Sequence, residues 1–301
     1  MDIGVVIPAF NGERYLAAAL ESVLEQTLPP RRVVVVDDGS TDGTVEVAGR
    51  FGKAVTCVRQ ANRGMAATRN WGAQEAGTEW LAFLDHDDVW LPTKLARQQD
   101  SITATGREVG FTAVSVVDSE LKPLARRGTQ TVRTDLEALL FRDESIPQST
   151  PSSMLIKRSL FESMSGFDEE VGVSADWDFL VRLRLQTDFA YVPEPLVLYR
   201  RHDSNLSRKV AILERESIYV LEKSFAASDL PAEIGRLRRR CLAWNDAVLS
   251  GSHFWTGSWA RAVLFGTRAL WRDPRLIGRI AGFPARQLVR AWRDEPRPGS
   301  L

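Results

Sequence analysis

The stretch Trp80–Pro92, WLAFLDHDDVWLP, decides how the chain is read. Leu81, Ala82, Phe83 and Leu84 form an apolar run that ends abruptly in three carboxylates, Asp85, Asp87 and Asp88, and Pro92 stands where a helix can begin. A run this short and unbroken reads as a strand buried on both faces of a parallel sheet, which puts the acids at its carboxyl end. In open α/β sheets ligands bind at that end. Three neighbouring anions repel one another unless a cation lies among them, and a divalent metal with its phosphates is one resolution. A solvated acidic turn capping the next helix is the other, and this stretch alone leaves both open.

Upstream, the same unit recurs. Ile3–Ile7 is a β-branched run ending in the turn-rich Pro8-Ala9-Phe10-Asn11-Gly12, followed by helical spacing of Leu16, Leu20, Val23 and Leu24. Val33–Val36 closes in Asp37-Asp38-Gly39-Ser40-Thr41-Asp42-Gly43, a second helix runs from Thr44 to Phe51, and a third strand spans Ala54–Val58. Asn62-Arg63-Gly64 opens a third helix to about Ala76, which leads into the acidic strand. Alternating strands and helices in short units imply right-handed crossovers and a parallel sheet, an α/β fold. Asn11, Asp38 and the Asp85 cluster then meet at one edge of that sheet.

Composition bounds the partners. A chain of 301 residues with 44% hydrophobic and 26% charged residues has ample core for one large domain or two of ordinary size. The formal net charge is zero, but from Arg208 onward there are 17 Lys+Arg against 9 Asp+Glu, and before it 22 against 30. A basic tail behind an acidic front points to an anionic surface as the tail's partner. Cys57 and Cys241 match no metal spacing, the opening MDIGVVIPAF reads as a first strand, and no run approaches the length of a spanning helix, so the expectation is a reduced, cytoplasmic context. A Gly-x-Gly-x-x-Gly after the first strand and a Gly-x-x-x-x-Gly-Lys-Ser/Thr loop are both missing, which removes dinucleotide dehydrogenases and P-loop NTPases. PAFNGERY likewise lacks the Gly-rich, Lys-containing loop of a sugar nucleotidyltransferase.

Four segments in order, IGVVIPAFNGERYL, VVVVDDGSTDGT, ANRGMAATRNWGAQEAGTEWLAFLDHDDVWLPTKL and GFDEEVGVSADWDFLVRL, resemble the family 2 glycosyltransferases. The resemblance covers about Met1 to Ser207. It implies a GT-A fold, a three-layer α/β/α sandwich, and transfer of a sugar from a nucleotide diphosphate sugar, with inversion and a divalent metal, Mn²⁺ or Mg²⁺. It implies a nucleotide site made of Pro8, Phe10, Asn11, Asp38, Arg69 and Asp85. Phe10 would offer an aromatic face to the base, with core packing as its alternative. Asp38 would accept the imide N–H of uracil, which suits a UDP-sugar; a turn-forming role is its alternative. Asp87 would hold the metal, and Arg69 would reach the nucleotide or pair at the surface; Asp88 either helps with the metal or caps the helix after Pro92, and the cap is the favoured reading. Val109–Val117 and Ser152–Ile156 read as further strands.

Asp176 matches the family's catalytic carboxylate, a general base for the acceptor hydroxyl. The family usually has Glu-Asp there, whereas this chain has Ala175-Asp176, which leaves open a catalytically inactive nucleotide-sugar-binding or scaffold protein on the same fold. Asp178 is expected to serve the start of its helix. Val192–Tyr199 leads to Arg200-Arg201-His202, where His202 would ligate the metal or donate to phosphate.

The expected division is a glycosyltransferase domain over 1–207 and a C-terminal helical region over 208–301, with helices near 209–226, 231–251, 255–272 and 275–293. Five Trp, at 244, 255, 259, 271 and 292, accompany many Arg there. That pairing suits a peripheral contact with an anionic membrane, or a helical bundle with a solvated Arg face. Nucleic acid is not expected. The acceptor implied is a glycan or lipid-linked saccharide at the inner membrane face, in cell-envelope polysaccharide biosynthesis.

Overall fold

The computed structural model describes residues 1–125, 135–142, 150–202 and 210–282. Two compact units emerge, one of Met1–Asp135 with Glu144–His202, the other of Leu136–Asp143 with Asp203–Leu301. The boundary expected at 207/208 lies outside the described residues.

In the first unit, β1 (Ile3–Ala9), α1 (Leu16–Leu24), β2 (Arg32–Asp37), α2 (Thr44–Gly49), β3 (Thr56–Arg59), α3 (Met65–Ala76) and β4 (Trp80–Phe83) alternate as the hydrophobic pattern requires. β3, β2, β1 and β4 lie side by side and parallel. Every residue of β1 and β4 is buried, because helices cover both faces of a parallel sheet. Pro8 sits inside β1 without disrupting the ladder. β4 pairs β1 only as far as Val6, so the N–H that proline lacks would face a position the neighbouring strand has already left.

Beyond β4 the sheet turns mixed. β5 (Val89–Trp90), α4 (Lys94–Thr105), β6 (Val109–Val117) and β7 (Pro123–Ala125) follow in the chain, then, after α5 (Leu136–Phe141) of the second unit, β8 (Met154–Lys157), α6 (Arg158–Ser163), α7 (Ala175–Gln186) and β9 (Ala190–Arg200). β8 runs antiparallel to β4 and to β6, β9 runs parallel to β6, and β5 runs antiparallel to β9. Two reversals restore direction, so β6 and β9 point the same way as β1, β2 and β4. Their carboxyl ends, together with the amino end of β8, share one edge. That edge therefore receives Asn11, Asp38, Asp85–Asp88, Ser152 and Tyr199–His202.

The second unit is helical: α8 (Val210–Phe225), α9 (Ala232–Gly235), α10 (Arg238–Trp255), α11 (Trp259–Arg272) and α12 (Ile277–Ala281), with α5 packed on α10 through Phe141 and Trp244, whose ring centroids are 6.3 Å apart. The helix expected over 231–251 divides into α9 and α10, and a left-handed Gly257 (φ 77°) delays α11 to Trp259. The helix expected to 293 is described only to Ala281; Trp292 and the Arg residues beyond 282 lie outside the described residues. Among those described, no helix is long and apolar enough to cross a membrane.

Candidate active site

The loop from Asp85 to Asp88 is built by backbone and hydroxyl contacts before any ligand is considered. The Asp85 N–H donates to Ser152 Oγ at 3.0 Å, and the same hydroxyl donates to Asp88 Oδ2 at 2.6 Å. The Arg200 N–H donates to Asp88 Oδ1 at 3.0 Å, and Arg200 Nε donates to the Asp87 carbonyl at 2.7 Å. The three acids thereby take different environments. Asp85 accepts from Arg69 at 2.6 Å in a largely buried ion pair. Asp87 Oδ2 lies 2.8 Å from His202 Nε2. Asp88 is fully enclosed.

Protonation follows these environments. Burial works against ionising Asp87, yet the His202 hydrogen bond and the neighbouring imidazoles outweigh it and hold the carboxyl below its ordinary value. Burial, with the charges of Asp87 and Asp85, pushes Asp88 well above its ordinary value despite hydrogen bonds from Ser152 and Arg200. The expectation that Asp88 caps the helix after Pro92 is wrong: α4 begins at Lys94 behind Thr93, without a side-chain cap, and Asp88 instead ties the turn before β8, through Ser152, to the end of β9.

Asp176 lies in the first turn of α7, where its carboxylate accepts the N–H of Trp177 at 2.8 Å. Its charge, with those of Asp88, Asp87 and Asp85, acts on the Tyr199 phenol, which burial already pushes far above the ordinary tyrosine range. The same buried phenol therefore lies within electrostatic reach of both Asp176 and the acidic loop. Asp178 is buried and pairs with Arg182 at 2.7 Å, and Arg182 in turn donates to the carbonyls of Met164 and Gly166. Gly166 is required there: its φ is 65°, and a Cβ would come within 2.4 Å of Asn70 Oδ1.

On the nucleotide side the residues divide. Phe10 is 40% exposed, so core packing is excluded for it. Asn11, in the left-handed region (φ 50°), uses Oδ1 to accept the Thr41 N–H at 2.8 Å, while its own N–H donates to Ser40 Oγ. It therefore brackets the β1 and β2 loops. Pro8 is buried, with its carbonyl 3.3 Å from His86 Nδ1. Asp38 is buried and accepts from Gln60 Nε2 and the Arg63 N–H on Oδ1, and from the Gly64 N–H on Oδ2. Since a carboxylate oxygen has two lone pairs, Oδ2 retains one. Arg69 is buried, not at the surface; its guanidinium lies over the Phe167 ring at 5.4 Å and its Nε makes no hydrogen bond.

Sequence reasoning missed Tyr15 and Ser152. The Tyr15 ring stands 5.0 Å from the His202 ring and 4.6 Å beneath the Arg200 guanidinium, so it backs the imidazole that faces Asp87. Its position just after the β1 loop was the only available signal.

Among the described residues no three His, Cys, Asp or Glu side chains are grouped to hold a metal by themselves. Asp87 and His202, hydrogen-bonded at 2.8 Å, are nonetheless side chains of a kind that could hold a divalent ion.

Comparison with known proteins gives the family and the fold. The profile of Glycosyl transferase family 2 matches residues 4–165. An uncharacterized glycosyltransferase of Nostoc is 31% identical over 228 residues, 72% of this chain and 70% of its own. One from Rickettsia typhi is 25% identical over 210 residues, 67% of this chain; the match spans 64% of that relative's length. S. aureus TarS 1–349 in complex with UDP-GlcNAc superposes with a TM-score of 0.60 at 16% identity, over 91% of this chain and 92% of that one. The Pyrobaculum calidifontis mannosyltransferase with GDP-Man and Mn²⁺ gives 0.59 at 19%, over 98% and 88%.

Proposed function

The chain belongs to glycosyl transferase family 2, and from that premise we propose that it moves a sugar from a UDP-sugar to a glycan or lipid-linked saccharide, with inversion. The observation that carries the reading is the meeting of Asp85, Asp87 and His202 at one sheet edge, with Asp176 within electrostatic reach of Tyr199 at the same edge. Its biological setting would be cell-envelope polysaccharide biosynthesis, with the acceptor met at an anionic membrane face.

Phe10 stacks on the base, and Asp38 accepts the uracil imide N–H on the lone pair left at Oδ2. Asp85, locked by Arg69, faces the ribose, and Arg69 serves the nucleotide by holding that carboxylate in place. Asp87 and His202 would hold a divalent ion, Mn²⁺ or Mg²⁺, which would supply Lewis-acid neutralisation of the diphosphate. Tyr15 and Arg200 fix the His202 ring. Asp176 takes the acceptor hydroxyl proton as that oxygen bonds the anomeric carbon and the bond to the diphosphate breaks on the opposite side.

The test is release of nucleoside diphosphate from a panel of UDP- and GDP-sugars with Mn²⁺ or Mg²⁺ across glycan and lipid-linked acceptors. The reading expects metal-dependent release from a UDP-sugar. Release from GDP-sugars alone overturns the assignment of Asp38, and intact donors throughout overturn catalysis.

A further inference from the structure

The helical unit carries a surface that no residue assigned to the transfer reaction uses, and it bears on where the acceptor of that reading is met. α11 buries a narrow stripe of Ala262, Phe265, Gly266 and Ala269 against its neighbours. At 3.6 residues per turn, Trp259, Ala260, Val263, Leu264, Thr267 and Trp271 fall together on an outward arc of about 140° that contains no charge. These are large side chains left in solvent: Trp259 is 58% exposed, Val263 66%, Leu264 52% and Trp271 76%. A water-facing helix face ordinarily carries charge, so this one is built for an apolar partner.

The border of the face states the partner's charge. Arg261, Arg268 and Arg272 line one side of the helix, Arg261 paired with Glu214 and the other two with Asp246, while Arg239 of α10 donates to the Trp271 carbonyl at 3.0 Å with its guanidinium 5.8 Å from the Trp271 ring. Arg238 and Arg240 stand exposed beside it. From Arg236 to Gly282 there are nine Arg and two acids, Asp246 and Asp273, and both acids are engaged by Arg272, Arg268 and Arg275. A second copy of this surface would bring basic border to basic border. Residues 283–301, with four Arg against two acids, carry the same sign. An anionic, apolar-cored partner is what remains, and Trp at the rim of an apolar strip flanked by Arg is the composition of helices lying in a lipid interface.

We propose that the outward face of α11, with the adjoining Arg238–Arg240 cluster, docks on an anionic lipid bilayer, Trp259, Val263, Leu264 and Trp271 entering the headgroup boundary while the arginines meet lipid phosphates. The inference stands on the helical unit alone, so its failure leaves the donor chemistry untouched.

The experiment is co-sedimentation of the full chain with phosphatidylglycerol–phosphatidylcholine vesicles and with pure phosphatidylcholine vesicles. Wild type binds the anionic vesicles, with a blue shift of tryptophan emission, and raising salt weakens the binding. Val263→Glu and Leu264→Glu each lower partition by about tenfold or more, and Arg238→Gln with Arg239→Gln lowers it on anionic vesicles alone. Unchanged melting temperatures keep the variants interpretable, since all four side chains face water. Absence of binding by wild type, equal binding to neutral vesicles, or binding indifferent to these substitutions overturns the proposal. So does a dimer that becomes monomeric on Val263→Glu in light scattering, which would assign the face to a second copy.

Discussion

Replacing Asp88 separates a brace from a metal ligand. In the structure Asp88 Oδ2 accepts the Ser152 hydroxyl at 2.6 Å and Oδ1 accepts the Arg200 N–H at 3.0 Å, inside a fully buried site. Asp88→Ala leaves two buried donors unpaired, at about 1–3 kcal/mol each, partly offset by relief of repulsion from Asp87 and Asp85. A net loss of about 3 kcal/mol lowers the melting temperature by roughly 6–12 °C for a unit of this size. Asp88→Asn behaves differently. Burial and neighbouring anions already favour an uncharged side chain there, so the amide retains the Arg200 bond and costs about 1 kcal/mol or less. The assay is differential scanning calorimetry with nucleoside diphosphate release on the same samples. Asp88→Asn should keep most of both stability and metal-dependent turnover. Loss of metal response in Asp88→Asn with an unchanged melting temperature would refute the reasoning and make Asp88 a ligand.

Three other perturbations follow from the geometry. Phe10→Ala should weaken UDP binding by about 0.5–1.5 kcal/mol in calorimetry without lowering the melting temperature, because the ring is exposed rather than packed. Arg69→Gln removes one partner of a buried pair and strands Asp85, so a stability loss of about 3 kcal/mol with a raised KM for donor is expected from denaturant titration and kinetics. In the helical unit, Glu214 accepts from Arg261 at 2.7 Å and lies 2.8 Å from His253 Nε2. Although burial opposes ionisation, Arg261 and His253 hold its carboxyl below the ordinary 4.5. This contribution is present above about pH 4.5 and is lost as pH falls through the lower folded value, so Arg261→Gln should lessen the acid loss of stability, by about 1 kcal/mol or less given the exposed guanidinium.

Much of the first unit was legible because burial on both faces writes itself as uninterrupted apolar runs. β1, β2 and β4 were readable from Ile3–Ile7, Val33–Val36 and Leu81–Leu84, and their loops then had to share an edge. What a run cannot show is pairing across long separations. β5 is two residues long, too short for any period, and exists because β9 supplies its partner more than a hundred residues later. The same limit hid Ser152, whose one hydroxyl holds both Asp85 and Asp88. It also misassigned Asp88, since an acid before Pro92 looks like a cap until Arg200 and Ser152 enclose it. Asn11 and Asp38 show a subtler case. Their chemistry fits a nucleotide site, yet much of their hydrogen bonding goes to shaping the loops around it. Local helix signals in the second unit carried the helices but not their faces: Trp244 packs inward against Phe141, while Trp271 faces water.

The most direct test of the account is Asp176→Asn, with donor affinity and turnover measured on the same protein. UDP-sugar affinity in the presence of Mn²⁺ should stay within a factor of about two, while turnover should fall by about 10²–10⁴-fold, the contribution of a positioned general base. Turnover undiminished at normal affinity would contradict the assignment of the base and, with it, the reading of this sheet edge as a transferase centre.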